Sequence, residues 1–353
     1  MTPKKARSKP KPSPQRRPSK RPAPKRRAPT PERAPRTRVP PELESSILPP
    51  IPLGHTGHAH PPIGMGLWAL GRWTIEDEAQ TKAALGRALE RRVRWFDTAE
   101  VYGTGRSERL LGEVLARAAP RTPPVFLTTK VSWEHLRPSQ VRAALLGSLQ
   151  RLNRPKVDLY LVHAPDPHVS IAETMGALEA LWKEGRVGAI GVSNFSVDEL
   201  EAAARSLSET EVVANQVEYN LFHRQDGEEI LGYCRRHQIV VEAYTPLARG
   251  VLAGRYLDGE VPPAEVRRFA HRIFEGDRFP EVVKRGRELR ALAELENVPM
   301  TSLALHWLVR QGVAPIFGAS RPDQVDQVLD AVTRRPSDEA LDRADAIGRG
   351  ALD

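Results

Sequence analysis

Four residues of the 353-residue chain combine side-chain types suited to proton transfer with a repeated place in the surrounding pattern. Asp97 follows the short run Arg94-Trp95-Phe96, and Tyr102 lies five residues further on, in Asp-Thr-Ala-Glu-Val-Tyr-Gly. Lys130 follows Val125–Thr129, and His163 follows Tyr160-Leu161-Val162. A carboxylate, a phenol, an ammonium and an imidazole are groups that general acid–base chemistry uses. Each alone has an ordinary reading. A strand-end Asp often caps the next helix, a strand-end Lys snorkels into solvent, and a lone His is more often structural. Their coincidence at equivalent places favours chemistry.

Those places belong to a repeat in which short apolar runs alternate with longer amphipathic stretches. A strand before Trp68 precedes a helix over 75–91, and 94–96 precedes 107–118. Then 125–129 precedes 138–152, 157–162 precedes 170–184, 189–192 precedes 197–206, and 212–217 precedes 227–237. Two further apolar runs cover 239–243 and 313–317. Alternating strands and helices mean a parallel sheet. Eight units in about 300 residues suit a closed (β/α)8 TIM barrel, whose catalytic groups sit at the C-terminal ends of the strands. A doubly wound open sheet is the competing architecture. Ahead of the barrel, 51–53, a turn at 54–57 and 62–67 read as a small β-hairpin leading into the first strand. Residues 249–277 are irregular and charged, as expected of a long loop at the active-site face.

Charge is distributed unevenly. Residues 1–40 hold 15 Lys and Arg, 11 prolines, one acid (Glu32) and no aromatic residue, whereas the rest of the chain holds 38 basic and 43 acidic side chains. The net charge of +9 therefore comes from a tail ahead of a mildly acidic body, which argues against reading the whole chain as a nucleic-acid binder. Residues 1–45 read as a disordered basic Pro/Arg-rich tail and 46–353 as the barrel. No apolar core follows the basic stretch, so it is not a signal peptide. It remains a solvated tail, a polybasic arm with weak affinity for nucleic acid or an anionic surface, or an upstream stretch included by a wrong start codon. The single cysteine, Cys234, allows no intrachain disulfide, and no apolar stretch approaches a membrane span. A cytoplasmic protein without a membrane partner is expected.

Several segments together resemble the aldo-keto reductases. They are Gly64-Met-Gly-Leu-Trp68, Phe96-Asp-Thr-Ala-Glu-Val-Tyr102, Thr129-Lys130, Leu161-Val-His163, Gly191-Val-Ser-Asn-Phe195, Asn215-Gln216, Ala243-Tyr-Thr-Pro-Leu247 and Gly318-Ala-Ser-Arg321. They occur in the family's order, from about residue 50 to 335, and Ser107–Gly112 and Asn220–Phe222 look like its bacterial branches. The resemblance implies the same barrel and NADPH-dependent reduction of a small-molecule aldehyde or ketone. It implies Tyr102 as general acid and Lys130 as the charge that lowers the phenol's pKa. Asp97 would pair with Lys130, and His163 would bond the substrate oxygen.

Cofactor contacts carry over from the same resemblance. Ser193, Asn194 and Gln216 match groups that hold the nicotinamide carboxamide, and Tyr244 matches the ring stacked on it. Leu247, Arg249 and Gly250 lie where the family wraps the pyrophosphate. Gly318, Ser320, Arg321 and Gln324 fall at the adenosine end. Residues 320–323 also read directly as a helix start, with Ser320 as cap and Pro322 in the first turn. By itself that is an ordinary capped helix with a solvated Arg; the resemblance makes Arg321 the seat of an adenosine 2′-phosphate and favours NADPH over NADH. Many relatives carry Asn where this chain has Val328, so its adenine contact differs. Trp68 and Trp133 are expected at the pocket rim.

Other signals are set aside. Gly64-Met-Gly66-Leu-Trp-Ala69 satisfies a loose G-x-G-x-x-A pattern but opens no helix. None of the six tyrosines has Lys four residues later, which argues against a Rossmann-type short-chain dehydrogenase. His55, His58 and His60 could ligate a metal but read as a surface turn, so no metal is expected. The alternative function is a non-catalytic or slow NADPH-binding subunit with a regulatory or redox-sensing task.

Overall fold

The computed structural model of the chain describes residues 48–68, 75–118, 124–224, 227–263, 271–274, 276 and 278–352. The expected tail over residues 1–45 lies outside them, as do 264–270 in the expected long loop.

The chain enters through an antiparallel hairpin of β1 (Ile51–Pro52) and β2 (Ala59–His60), joined by the turn around Gly54 and Gly57. The barrel follows: β3 (Gly64–Gly66), β4 (Trp95–Asp97), β5 (Phe126–Val131), β6 (Val157–Val162), β7 (Val187–Ser193), β8 (Val212–Glu218), β9 (Val240–Tyr244) and β10 (Val313–Gly318). All eight pair in parallel, and β10 closes on β3 through Ile316–Gly64 and Phe317–Met65. Closure eliminates the open-sheet alternative.

Alternation of side chains across each strand makes two apolar layers. Trp95, Leu159, Leu161, Ala189, Val213, Val240, Ala314 and Ile316 form a cluster inside the barrel. Phe96, Tyr160 and Val162 point the other way, into the larger core shared with the helices. Strands buried on both faces read as nearly continuous apolar runs, which is why they were legible. Gly64 has a specific reason: a Cβ there would stand 2.3 Å from the Trp95 indole. Leu53, from the hairpin, joins the interior cluster and plugs the N-terminal end.

Helices Ile75–Glu90, Arg106–Arg117, Pro138–Leu152, Ile171–Lys183, Val197–Arg205 and Gly227–Arg236 link successive strands, and Pro322–Val332 and Asp338–Gly348 follow β10. Ser196 and Glu199 illustrate the local coding: the Ser196 hydroxyl accepts from the Glu199 N–H, and the Glu199 carboxylate accepts from the Ser196 N–H at 2.8 Å. The β9–β10 connection carries two helices unassigned from sequence, Arg278–Leu295 and Met300–Arg310. Among the described residues, no helix is long and apolar enough to cross a membrane.

Candidate active site

Asp97 ends β4 and Lys130 lies near the end of β5, and both point into the barrel mouth where interior apolar side chains give way to polar ones. Lys130 is fully buried and donates to three acceptors: Asp97 Oδ1 at 2.6 Å, the Thr98 carbonyl at 2.9 Å and Tyr102 Oη at 3.2 Å. An ammonium has three N–H groups, so each is satisfied. Burial opposes the charge on Lys130, but Asp97 and Tyr102 hold its pKa above the ordinary value. Burial pushes the Asp97 carboxyl upward against the pull of Lys130. Both its oxygens accept hydrogen bonds, which the ionised form satisfies.

Tyr102 follows β4 in the turn leading to the helix Arg106–Arg117. Burial raises its hydroxyl above the ordinary phenol value, outweighing the pull of Lys130. Lys130 pulls in the expected downward direction, but the net shift is upward because of desolvation, whose extent was not legible in the sequence. Tyr102 therefore stands as a neutral phenol. His163, just beyond β6, meets the Tyr102 ring edge-on, with centroids 5.5 Å apart. Burial, then repulsion from Lys130, brings its pKa down to about 3, so the imidazole is neutral near pH 7. Its Nδ1 is buried without a hydrogen-bond partner among the described residues.

The two tryptophans lie at the mouth. Trp133 is 45% exposed and packs edge-on against His163 at 5.8 Å. Trp68 is 36% exposed, with the Arg249 guanidinium 4.7 Å from its ring. Such exposure fits rim positions rather than core.

Ser193 and Gln216 are register partners on β7 and β8, and the Ser193 hydroxyl donates to the Gln216 carbonyl at 2.9 Å. Asn194, left-handed at φ 60°, donates its amide to Ser193 Oγ and to the His163 carbonyl, both at 3.0 Å. Tyr244, at the end of β9, donates its hydroxyl to Asn194 Oδ1 at 2.9 Å. The residues matched to a nicotinamide site thus converge beside the acid–base cluster. Leu247 precedes a left-handed run at Ala248, Arg249 and Gly250. Gly250 has φ 101°, a backbone conformation that side-chain-bearing residues rarely adopt, so glycine suits this turn.

At the adenosine end, Gly318 ends β10 and the helix Pro322–Val332 begins with Arg321, not Ser320, at the cap. Ser320 instead donates its N–H and hydroxyl to Gln324 Oε1 at 2.8 and 3.0 Å, and the Arg321 N–H donates to the same oxygen at 3.2 Å. Arg321 forms a bidentate pair with Asp323 at 3.0 and 2.9 Å. Val328 is buried in the helix's core-facing side. A glycine turn, a helix start and an exposed guanidinium fit the phosphates of a dinucleotide.

One polar residue of the cluster, Glu242, escaped the sequence reading, and another, His60, was misplaced. Gln216 Nε2 donates to Asp97 Oδ2 at 2.9 Å and to Glu242 Oε2 at 2.7 Å. Glu242, in the middle of β9, is fully buried, and its other oxygen meets His60 Nε2 at 3.0 Å. A lone acid in the run Val240–Ala243 was the available signal. His60, expected in a surface turn, is fully buried at the barrel floor, edge-on to Trp95 and Phe126. His55 and His58 are exposed as expected. Among the described residues, no group of three His, Cys, Asp or Glu side chains could hold a metal. Cys234 is buried, and burial pushes its thiol up to about 12.

The profile of the aldo/keto reductase family matches residues 62–349. The aldo-keto reductase YhdN of Bacillus subtilis is 31% identical over 286 residues, covering 78% of this chain and 86% of that protein. A glycerol dehydrogenase from Gluconobacter oxydans superposes with a TM-score of 0.76 at 29% identity, covering 84% of this chain and 94% of its own. An aldo-keto reductase from Klebsiella pneumoniae in complex with NADPH gives a TM-score of 0.70 at 26% identity, covering 87% and 99%. With the closed parallel barrel and a profile match over most of its length, the chain belongs to the aldo/keto reductase family.

Proposed function

We propose that this aldo-keto reductase uses NADPH to reduce an aldehyde or ketone to an alcohol, with Tyr102 delivering the proton. The observation that carries this reading is the buried Lys130 ammonium, which bonds Asp97 at 2.6 Å and Tyr102 Oη at 3.2 Å. A neutral phenol that accepts from an ammonium keeps its own O–H free for a carbonyl oxygen at the mouth. As that proton leaves, Lys130 already stands beside the developing phenolate, so little reorganisation is needed. Neutral His163 positions the same oxygen by hydrogen bonding.

When bound, the cofactor supplies the hydride. Ser193, Asn194 and Gln216 hold its carboxamide, with Tyr244 against the nicotinamide ring. Leu247, Arg249 and Gly250 wrap the pyrophosphate, while Gly318, Ser320, Arg321 and Gln324 receive the adenosine end. Support comes from the left-handed run at 248–250, the helix start at Pro322 and the NADPH complex of the Klebsiella relative. Trp68 and Trp133 line the entrance for the substrate.

The test is NADPH oxidation by purified protein across a panel of aldehydes, ketones and sugars. Turnover with at least one class is expected. Tight NADPH binding without turnover on any of them would favour the regulatory alternative.

A further inference from the structure

Glu242 is an anomaly in its strand. Its neighbours Val240, Val241 and Ala243 are buried apolar residues, and a buried carboxylate without partners is strongly disfavoured. Both its oxygens are engaged, one by Gln216 from β8 and the other by His60 from the hairpin.

The proton count follows from hydrogen-bond chemistry. His60 Nδ1 lies 2.7 Å from the Pro61 carbonyl, which only accepts, so Nδ1 carries a hydrogen. His60 Nε2 faces Glu242 Oε1 at 3.0 Å, and one proton must lie between them. The pair is either imidazolium with carboxylate or imidazole with carboxylic acid. Both forms are neutral in sum, and both leave Oε2 as an acceptor for Gln216. Gln216 then spends its two N–H groups on Glu242 Oε2 and Asp97 Oδ2. A flipped amide would set its oxygen against two acceptors, so its orientation is determined. Only Oε1 remains, an acceptor matched to the amino end of a primary carboxamide.

We propose that Glu242, held from the barrel floor by His60, is a positioning residue that fixes the Gln216 amide so that it presents Oε1 to the nicotinamide carboxamide. The proposal rests on the reading of Gln216 as a cofactor-binding residue. Glu242 touches neither cofactor nor substrate and acts through Gln216. The hairpin thereby serves the site at the opposite end of the barrel.

Calorimetric binding of NADPH and of adenosine 2′,5′-bisphosphate, which lacks the nicotinamide, tests this. The double variant His60→Leu/Glu242→Leu leaves no unpaired charge behind, which protects folding. It should bind NADPH about five- to tenfold more weakly, the loss of roughly one oriented hydrogen bond, with the bisphosphate unchanged. Glu242→Gln can still accept from Gln216 and donate to neutral His60, so its NADPH affinity should stay within about twofold of wild type. Unchanged NADPH affinity in the double variant overturns the proposal. So does parallel weakening of both ligands, or a loss in Glu242→Gln as large as in the double variant. Gln216→Ala separates the two levels. If it leaves NADPH affinity unchanged, the cofactor role of Gln216 fails and the positioning role falls with it. If it weakens NADPH while the double variant does not, only the positioning role fails.

Discussion

The Lys130 ammonium and the Tyr102 hydroxyl lie 3.2 Å apart in a buried site, with the ammonium donating and the phenol oxygen accepting. This direction leaves the phenol's hydrogen for another acceptor. Tyr102→Phe removes that hydrogen together with the oxygen that accepts from Lys130. Carbonyl reduction should fall at least ~10²-fold, the low end of general-acid contributions, while NADPH binding persists. Steady-state rates and a cofactor fluorescence titration on the same preparation check it. Near-normal turnover would place the acid elsewhere.

Lys130 also neutralises Asp97, so removing it strands a buried carboxylate. Lys130→Met should lose on the order of 3 kcal/mol of stability, as expected for breaking one side of a buried pair. Asp97→Asn combined with Lys130→Met should recover part of that loss. Urea denaturation of the three proteins decides; a double variant no more stable than Lys130→Met would show that charge compensation is not what Lys130 contributes.

Arg321 is paired with Asp323 at the helix start, and both are exposed. A 2′-phosphate seated at Arg321, as proposed, would compete with Asp323 for the guanidinium. Arg321→Ala should weaken NADPH roughly tenfold or more and leave NADH nearly unchanged, because a charge-assisted contact to the phosphate is lost. Asp323→Asn should tighten NADPH by roughly two- to fivefold, the scale of an exposed ion pair. Dissociation constants for both cofactors test this. Parallel weakening of both in Arg321→Ala would assign it to the shared part of the dinucleotide.

Glu179, in the helix Ile171–Lys183, receives the backbone N–H of Glu209 at 2.8 Å and of Ser208 at 2.7 Å, with the Ser208 hydroxyl at 2.9 Å. The Glu209 bond, then those from Ser208, bring its pKa from the ordinary 4.5 down to about 2. The unfolded carboxylate protonates first as pH falls, so this stabilisation is present above about pH 4.5 and lost as pH falls through about 2. Glu179→Gln should therefore be less stable than wild type at pH 7, by on the order of 2 kcal/mol for bonds to a charged group. The gap should shrink below pH 4.5 and close near pH 2. A gap independent of pH would mean that amide geometry, not charge, is responsible.

The barrel was legible because its strands are buried on both faces and most give a nearly continuous apolar run. Strand ends were misjudged by a residue or two where polar side chains continue the ladder, as Lys130, Ser193 and Tyr244 do. Asp97, Tyr102, Lys130 and His163 could be singled out because each follows such a run. Glu242 could not: one acid within an apolar run has no periodicity, and its partner His60 lies 182 positions away. The raised Tyr102 pKa was hidden for a related reason, since desolvation depends on everything packed around the group. At the adenosine end, Ser320 and Arg321 are both plausible caps by type. The engagement of Gln324 by Ser320 distinguishes them, and that is a three-dimensional fact.

The hairpin plug has a consequence for how the chain matures. Leu53 precedes every barrel strand in the chain, yet the cluster it joins extends to Ile316, and β10 seals the barrel against β3. The plug has no complete seat until nearly all of the chain has been synthesised, since long loop closure must precede these contacts. The hairpin carrying Leu53 should therefore dock stably only once β10 has closed on β3. Proteolytic cutting there should be rapid in stalled nascent chains ending before Val313 and should slow once β10 has emerged.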